Sequence, residues 1–201
     1  FLKALISKET SIKKQAEKIA NFNNKHLFSK VFLNKRKWFT LNVIGSKVDA
    51  VESLAEQIDE TISGKWISKG IPSSLKTKTK KTVAGVIKSL NNLIKELDKK
   101  DHGLILIVDE MGKFLDYSSG VGSDLNLFQE IAENFSNIRL NKEGEPIFIG
   151  ILHQPFEEYA SNLGRSVQED WQKIQGRFED IPFSINSEET AHLIAQAIKQ
   201  K

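Results

Sequence analysis

Two carboxylates stand side by side at Asp109 and Glu110, directly after the aliphatic run Leu104-Ile105-Leu106-Ile107-Val108. Oxygen donors of this type suit a hard divalent cation, and a positioned carboxylate can accept a proton from water. A second polar pair, His153-Gln154, closes the apolar run Ile147-Phe148-Ile149-Gly150-Ile151-Leu152. Arg177 follows Gly176; its fixed charge and planar fork suit a phosphate, although an ordinary ion pair would use the same group. Other chemistries are poorly served. The histidines His26, His102, His153 and His192 lack paired metal-ligand spacing. With no cysteine and no G-x-S-x-G turn, neither common nucleophile has its usual setting.

The elements that must position these groups follow from hydrophobic periodicity. Consecutive aliphatics bounded by Gly103 and the acidic pair suit a strand buried on both faces, as in a parallel sheet. Open sheets of this kind bind ligands beyond the carboxyl ends of their strands. Residues 38–44 and 147–152 read as two further strands of the same sheet, with helices expected on both of its faces. Val51, Leu54, Ala55, Ile58 and Ile62 mark a helix over 49–62. A linker follows from Gly64 to Ser74, and Lys76 to Lys81 is expected to open a long helix reaching Leu97. Lysines at a helix start oppose the macrodipole, which leaves room there for a phosphate or an acidic partner, with a flexible surface turn as the plainer reading. Residues 111–117 read as a short helix or turn, 118–123 as a loop, 124–138 as a helix capped by Asp124, and 166–175 as a further helix. Phe178 to Phe183 reads as a short strand. Helices are expected over 11–22 and from Ser187 to Ile198.

The length of 201 residues suits a single domain, with helical insertions near 11–37 and 63–101. A hydrophobic content of 39% with 27% charged residues fits a globular protein without a membrane span. The absence of cysteine fits a reducing compartment, and a cytoplasmic location is expected. Charge is unevenly spread. Residues 1–100 carry 21 Lys and Arg against 9 Asp and Glu; of 29 and 26 in all, 8 and 17 remain for the second half. A basic face in the first half makes nucleic acid one possible partner, with solvated helix faces as the plainer explanation.

The run ending in Asp109-Glu110 resembles the Walker B strand of P-loop NTPases. The order of elements, over most of the chain, resembles the additional-strand class of P-loop ATPases, which includes AAA+ and STAND-type enzymes. The resemblance implies an α/β, three-layer sandwich with a mainly parallel sheet, acting on ATP with Mg²⁺. It implies that Asp109 holds the metal and Glu110 activates the attacking water. It implies that Gln154, with His153 as the nearby alternative, senses the γ-phosphate or the water. Arg177 would be an arginine finger reaching a neighbouring subunit or a phosphate sensor, or else a tie to Glu179 and Asp180. His153 to Ala160, with Trp171 and Gln175 to Phe178, also resembles segments of large bacterial ATP-binding proteins, some linked to DNA processing or phage defence. Oligomers, or other domains of one polypeptide, would then be natural partners.

One part of the pattern is missing. The sequence holds no G-x-x-x-x-G-K-[ST] motif. Gly45-Ser46-Lys47, between a strand and a helix, offers too few free backbone amides to cradle two phosphates. The first residues, from Phe1 to Ile6, read as the far end of a helix. The expectation is therefore that the phosphate-binding loop and the first strand lie upstream of Phe1. The alternative is a degenerate, non-catalytic scaffold of the same fold that binds protein or nucleic acid.

Overall fold

The computed structural model describes residues 37–66, 71–121, 126–154, 158–159 and 165–181. Among these residues, three strands form a sheet: β1 (Lys37–Ile44), β2 (His102–Asp109) and β3 (Pro146–Gly150). All pairings are parallel, in the order β1-β2-β3, with β2 central. The consecutive aliphatics of β2 are there because both of its faces are covered; Leu104, Ile105, Leu106 and Val108 are all buried. The strands and their parallel pairing are those expected from the sequence, and the chain is an α/β protein. No helix among the described residues is long and apolar enough to cross a membrane.

Among the described residues, five α-helices accompany the sheet: α1 (Ala50–Trp66), α2 (Val83–Asp98), α3 (Met111–Val121), α4 (Asn126–Leu140) and α5 (Arg165–Gln175). Side chains alternate across a strand. Phe39, Leu41 and Val43 therefore share one face of the sheet with Leu104, Leu106 and Val108. That face joins the buried faces of α1 (Leu54, Ile58), α2 (Leu90, Leu93) and α4 (Phe128, Ile131) in one core cluster. Two crossovers of one hand that step the same way across a sheet place their helices on the same side. Ile105 lies on the opposite face, is 0% exposed, and stands outside that cluster. Asn91 of α2 and Asn134 of α4 join through both amides, at 2.6 and 3.3 Å.

Three local expectations are corrected. The helix expected from Lys76 begins only at Val83, capped by Thr82, whose hydroxyl accepts the Gly85 N–H at 3.1 Å. Residues 76–82 instead form a strap across α1, pinned by tertiary contacts that outweigh helix propensity. The acidic partner anticipated there belongs to the chain itself: Lys81 pairs with Glu52 and Glu56 of α1. The loop expected over 118–123 starts late, because α3 continues through Val121. The strand expected over 178–183 is not formed by its described residues. Phe178 packs edge-on against Phe148 with ring centroids 5.0 Å apart, and Ile181 is 82% exposed. The helices expected over 11–22 and 187–198, and the cap at Asp124, lie outside the described residues.

Candidate functional site

Asp109 is the last residue of the central strand, and Glu110 forms the turn into α3. Glu110 takes a left-handed backbone, with φ of 52°. For a residue with a Cβ this conformation costs about 1–3 kcal/mol and persists only where the surroundings impose it. Here they do. The Glu110 N–H donates to Oδ1 of Asp109 at 2.9 Å, and its carbonyl accepts the Lys113 N–H at 2.9 Å. The next residue is also fixed: Met111 N–H donates to the Ile151 carbonyl at 3.0 Å, and Ile151 N–H to that of Val108 at 2.9 Å. The ends of β2 and β3 are thus tied together beyond the assigned strands.

Gly45 completes the backbone frame from the other side. Its N–H donates to the Asp109 carbonyl at 2.7 Å. A Cβ at this position would lie 2.1 Å from the Glu110 carbonyl oxygen. Gly112 is equally constrained, since a Cβ there would sit 2.2 Å from the ring of Tyr159. Asp49, four residues beyond Gly45, caps α1 by accepting the Glu52 N–H on Oδ1 at 3.0 Å.

Two cationic or ionisable groups converge on Glu110. The Lys113 ammonium donates to Oε2, and His153 Nε2 lies 3.4 Å from Oε1. The Glu110 side chain is 28% exposed. The Lys113 ammonium holds the Glu110 carboxyl below the usual carboxylate range; desolvation opposes this, and His153 adds to it. By type alone Lys113 is an ordinary helix-surface lysine. The signal was its spacing, since three positions along a helix bring two side chains together.

The other anticipated residues divide. Gln154 is exposed beside His153 and makes no hydrogen bond to Glu110. Arg177 is elsewhere. It follows α5, and its Nη2 pairs with Oε1 of Glu133 on α4 at 2.7 Å. The expected tie from Arg177 to Asp180 is also replaced, because Gln175 donates to Asp180 Oδ2 at 2.9 Å. Among the described residues, Arg177 contacts none of Asp109, Glu110, His153 or Gln154.

The arrangement can hold an ionised carboxylate, Glu110, at a fixed place beside an exposed one, Asp109. Among the described residues, no cluster of three or more His, Asp or Glu side chains is placed to hold a metal ion. A hard cation at Asp109 would therefore take most of its oxygen ligands from phosphate and water. Comparisons with family models, curated proteins and solved structures return no match.

Proposed function

We propose that this chain carries the carboxylate end of a Mg²⁺–ATP hydrolysis site, on a sheet of the P-loop NTPase kind. One observation supports this above the others. Glu110 and His153, at the carboxyl ends of adjacent parallel strands, approach to 3.4 Å beside the exposed Asp109. Ligand sites of open α/β sheets lie at such strand ends. The buried Ile105 on the second face of the sheet fits a third layer, as that architecture requires.

The residues fit Mg²⁺ in a limited sense. Asp109 keeps one carboxylate oxygen beyond that bonded to the Glu110 N–H, and one carboxylate is enough when phosphates supply the other ligands. The ion would neutralise charge on the phosphates. Glu110 would hold the attacking water. Lys113 favours its ionised form, the form that orients the water and accepts its proton. Lys113 and His153 would fix the carboxylate's direction, and Gln154 stands within the same exposed strand end.

The test is ATP turnover and nucleotide binding by the full natural polypeptide. Glu110→Gln should retain binding and lose about 10²–10⁴ in turnover, the usual reach of a general base. Asp109→Asn should weaken Mg²⁺-dependent nucleotide binding. A specific observation favours a second reading, a scaffold without turnover. The Gly45 amide is spent on Asp109, and both oxygens of Glu110 are engaged. Small and equal effects of the two substitutions would select the scaffold.

A further inference from the structure

The strap between α1 and α2 is built more firmly than a surface connection needs. Leu75 anchors its start in the core. Thr79 is buried and donates both its N–H and its hydroxyl to Asp59 of α1, at 3.0 and 2.7 Å on Oδ1. The same hydroxyl lies 2.9 Å from Ser89 Oγ on α2. Lys81 is clamped between Glu52 and Glu56, and Thr82 caps α2. The Lys80 carbonyl is pressed against Gly85, where a Cβ would lie 2.4 Å from its oxygen.

With its inner side engaged, the strap presents Lys76, Lys78 and Lys80 outward, all exposed. Among the described residues none of the three forms an ion pair, whereas Lys81, Lys99 and Lys113 all do. The neighbouring acids of α1 are occupied from within: Glu52 and Glu56 by Lys81, Asp59 by Thr79. Only Glu60 of that stretch is an exposed acid with no partner among the described residues. The pinned backbone that carries these three unpaired ammonium groups loses little freedom on meeting a polyanion. No described acid pairs with them, and lysine is a compact point charge suited to phosphate.

We propose that the strap Lys76 to Thr82 is a binding surface for the phosphodiester backbone of a nucleic acid, held through Lys76, Lys78 and Lys80. The contact is to phosphates and carries no base sequence. It is independent of nucleotide hydrolysis at Asp109–Glu110.

The test is fluorescence anisotropy of the full natural polypeptide with labelled, mixed-sequence single-stranded DNA, duplex DNA and RNA, at salt from 50 to 200 mM. Each phosphate contact contributes about 0.9 to the slope of log affinity on log salt for duplex DNA, and about 0.7 for single strands. Three contacts correspond to a loss of about 40-fold across this range on duplex and about 20-fold on single strands. The triple variant Lys76→Ala, Lys78→Ala, Lys80→Ala should bind more weakly and with a slope shallower by about 2–3. Arginine at the same three positions should restore binding, and thermal melting should show both variants folded. The arm that binds identifies the polymer. No binding of any polymer by the natural protein, an unchanged slope in the alanine variant, or failure of arginine to restore binding would each overturn the proposal.

Discussion

Gly45 and Asp109 share a backbone hydrogen bond of 2.7 Å that joins the end of β1 to the end of β2, where the acidic pair begins. The contact leaves no room for a side chain at Gly45, because the Glu110 carbonyl oxygen occupies the place of its Cβ. Gly45→Ala should push the two strand ends apart. A destabilisation of about 1–3 kcal/mol is expected, as for other overpacked sites, read as a lower midpoint in urea unfolding. An unchanged midpoint would mean that the strand end yields freely and does not frame Glu110.

The strap makes a separate prediction. Thr79→Val keeps the shape of the side chain and removes the hydroxyl that serves Asp59 and Ser89. The Asp59 carboxylate retains only the backbone N–H of residue 79. Stability should fall by about 1.5–3 kcal/mol, the worth of a hydrogen bond to a charged group. Thr77→Val, in the exposed part of the same strap, should leave the unfolding midpoint where it is.

Glu110 should titrate below an ordinary carboxylate, and Lys113 is the first cause. Its folded pKa is below its unfolded value. The group therefore adds stability above the unfolded carboxylate range, and that contribution is lost as pH falls through the folded pKa. Lys113→Ala should move the Glu110 titration upward and shrink this acid-side dependence. Carboxyl carbon shifts followed by NMR against pH would show it. A Glu110 titration that stays put would assign the depression to another group.

Arg177 offers a contrast of magnitudes. Paired with Glu133 at an exposed site, it should contribute about 0–1 kcal/mol to stability. An arginine finger contributes about 10³–10⁵ in turnover. Arg177→Ala should therefore leave any ATP turnover of the natural polypeptide within a few-fold of its starting value. A loss of a thousandfold would restore the finger reading, in which Arg177 leaves Glu133 for a nucleotide.

What could be read from the chain was set by what burial writes locally. A strand covered on both faces needs aliphatics at consecutive positions, and Leu104 to Val108 supplied them. Helix faces were equally visible, because Leu54 and Ile58 recur at the helical period. The strap was not visible. Lys76 to Thr82 contains no Gly or Pro to interrupt a helix, and its fate is decided by Asp59, Glu52 and Glu56, far away in sequence. Phe178 misled in another way. Its apolar side chain suits a strand, but it is consumed in an aromatic contact with Phe148. At the site, the adjacent acids were evident, while the left-handed turn at Glu110 left no mark, since glycine is the usual sign of that conformation and a glutamate stands there.

The pairing of the strands also constrains how the chain reaches this form. Lys37 lies opposite His102, and Leu104 opposite Pro146, so every rung of the ladder spans a crossover containing whole helices. Among the described strands, no hairpin can nucleate the sheet. Chain closure must be paid for in entropy before a single inter-strand bond repays it. α1, α2 and α4, whose contacts are local, are then the natural first products of collapse, and β2 comes to rest only when both neighbours arrive. Until that moment its aliphatic run is bare, which makes the segment that ends in the acidic pair also the one most exposed to misassembly during folding.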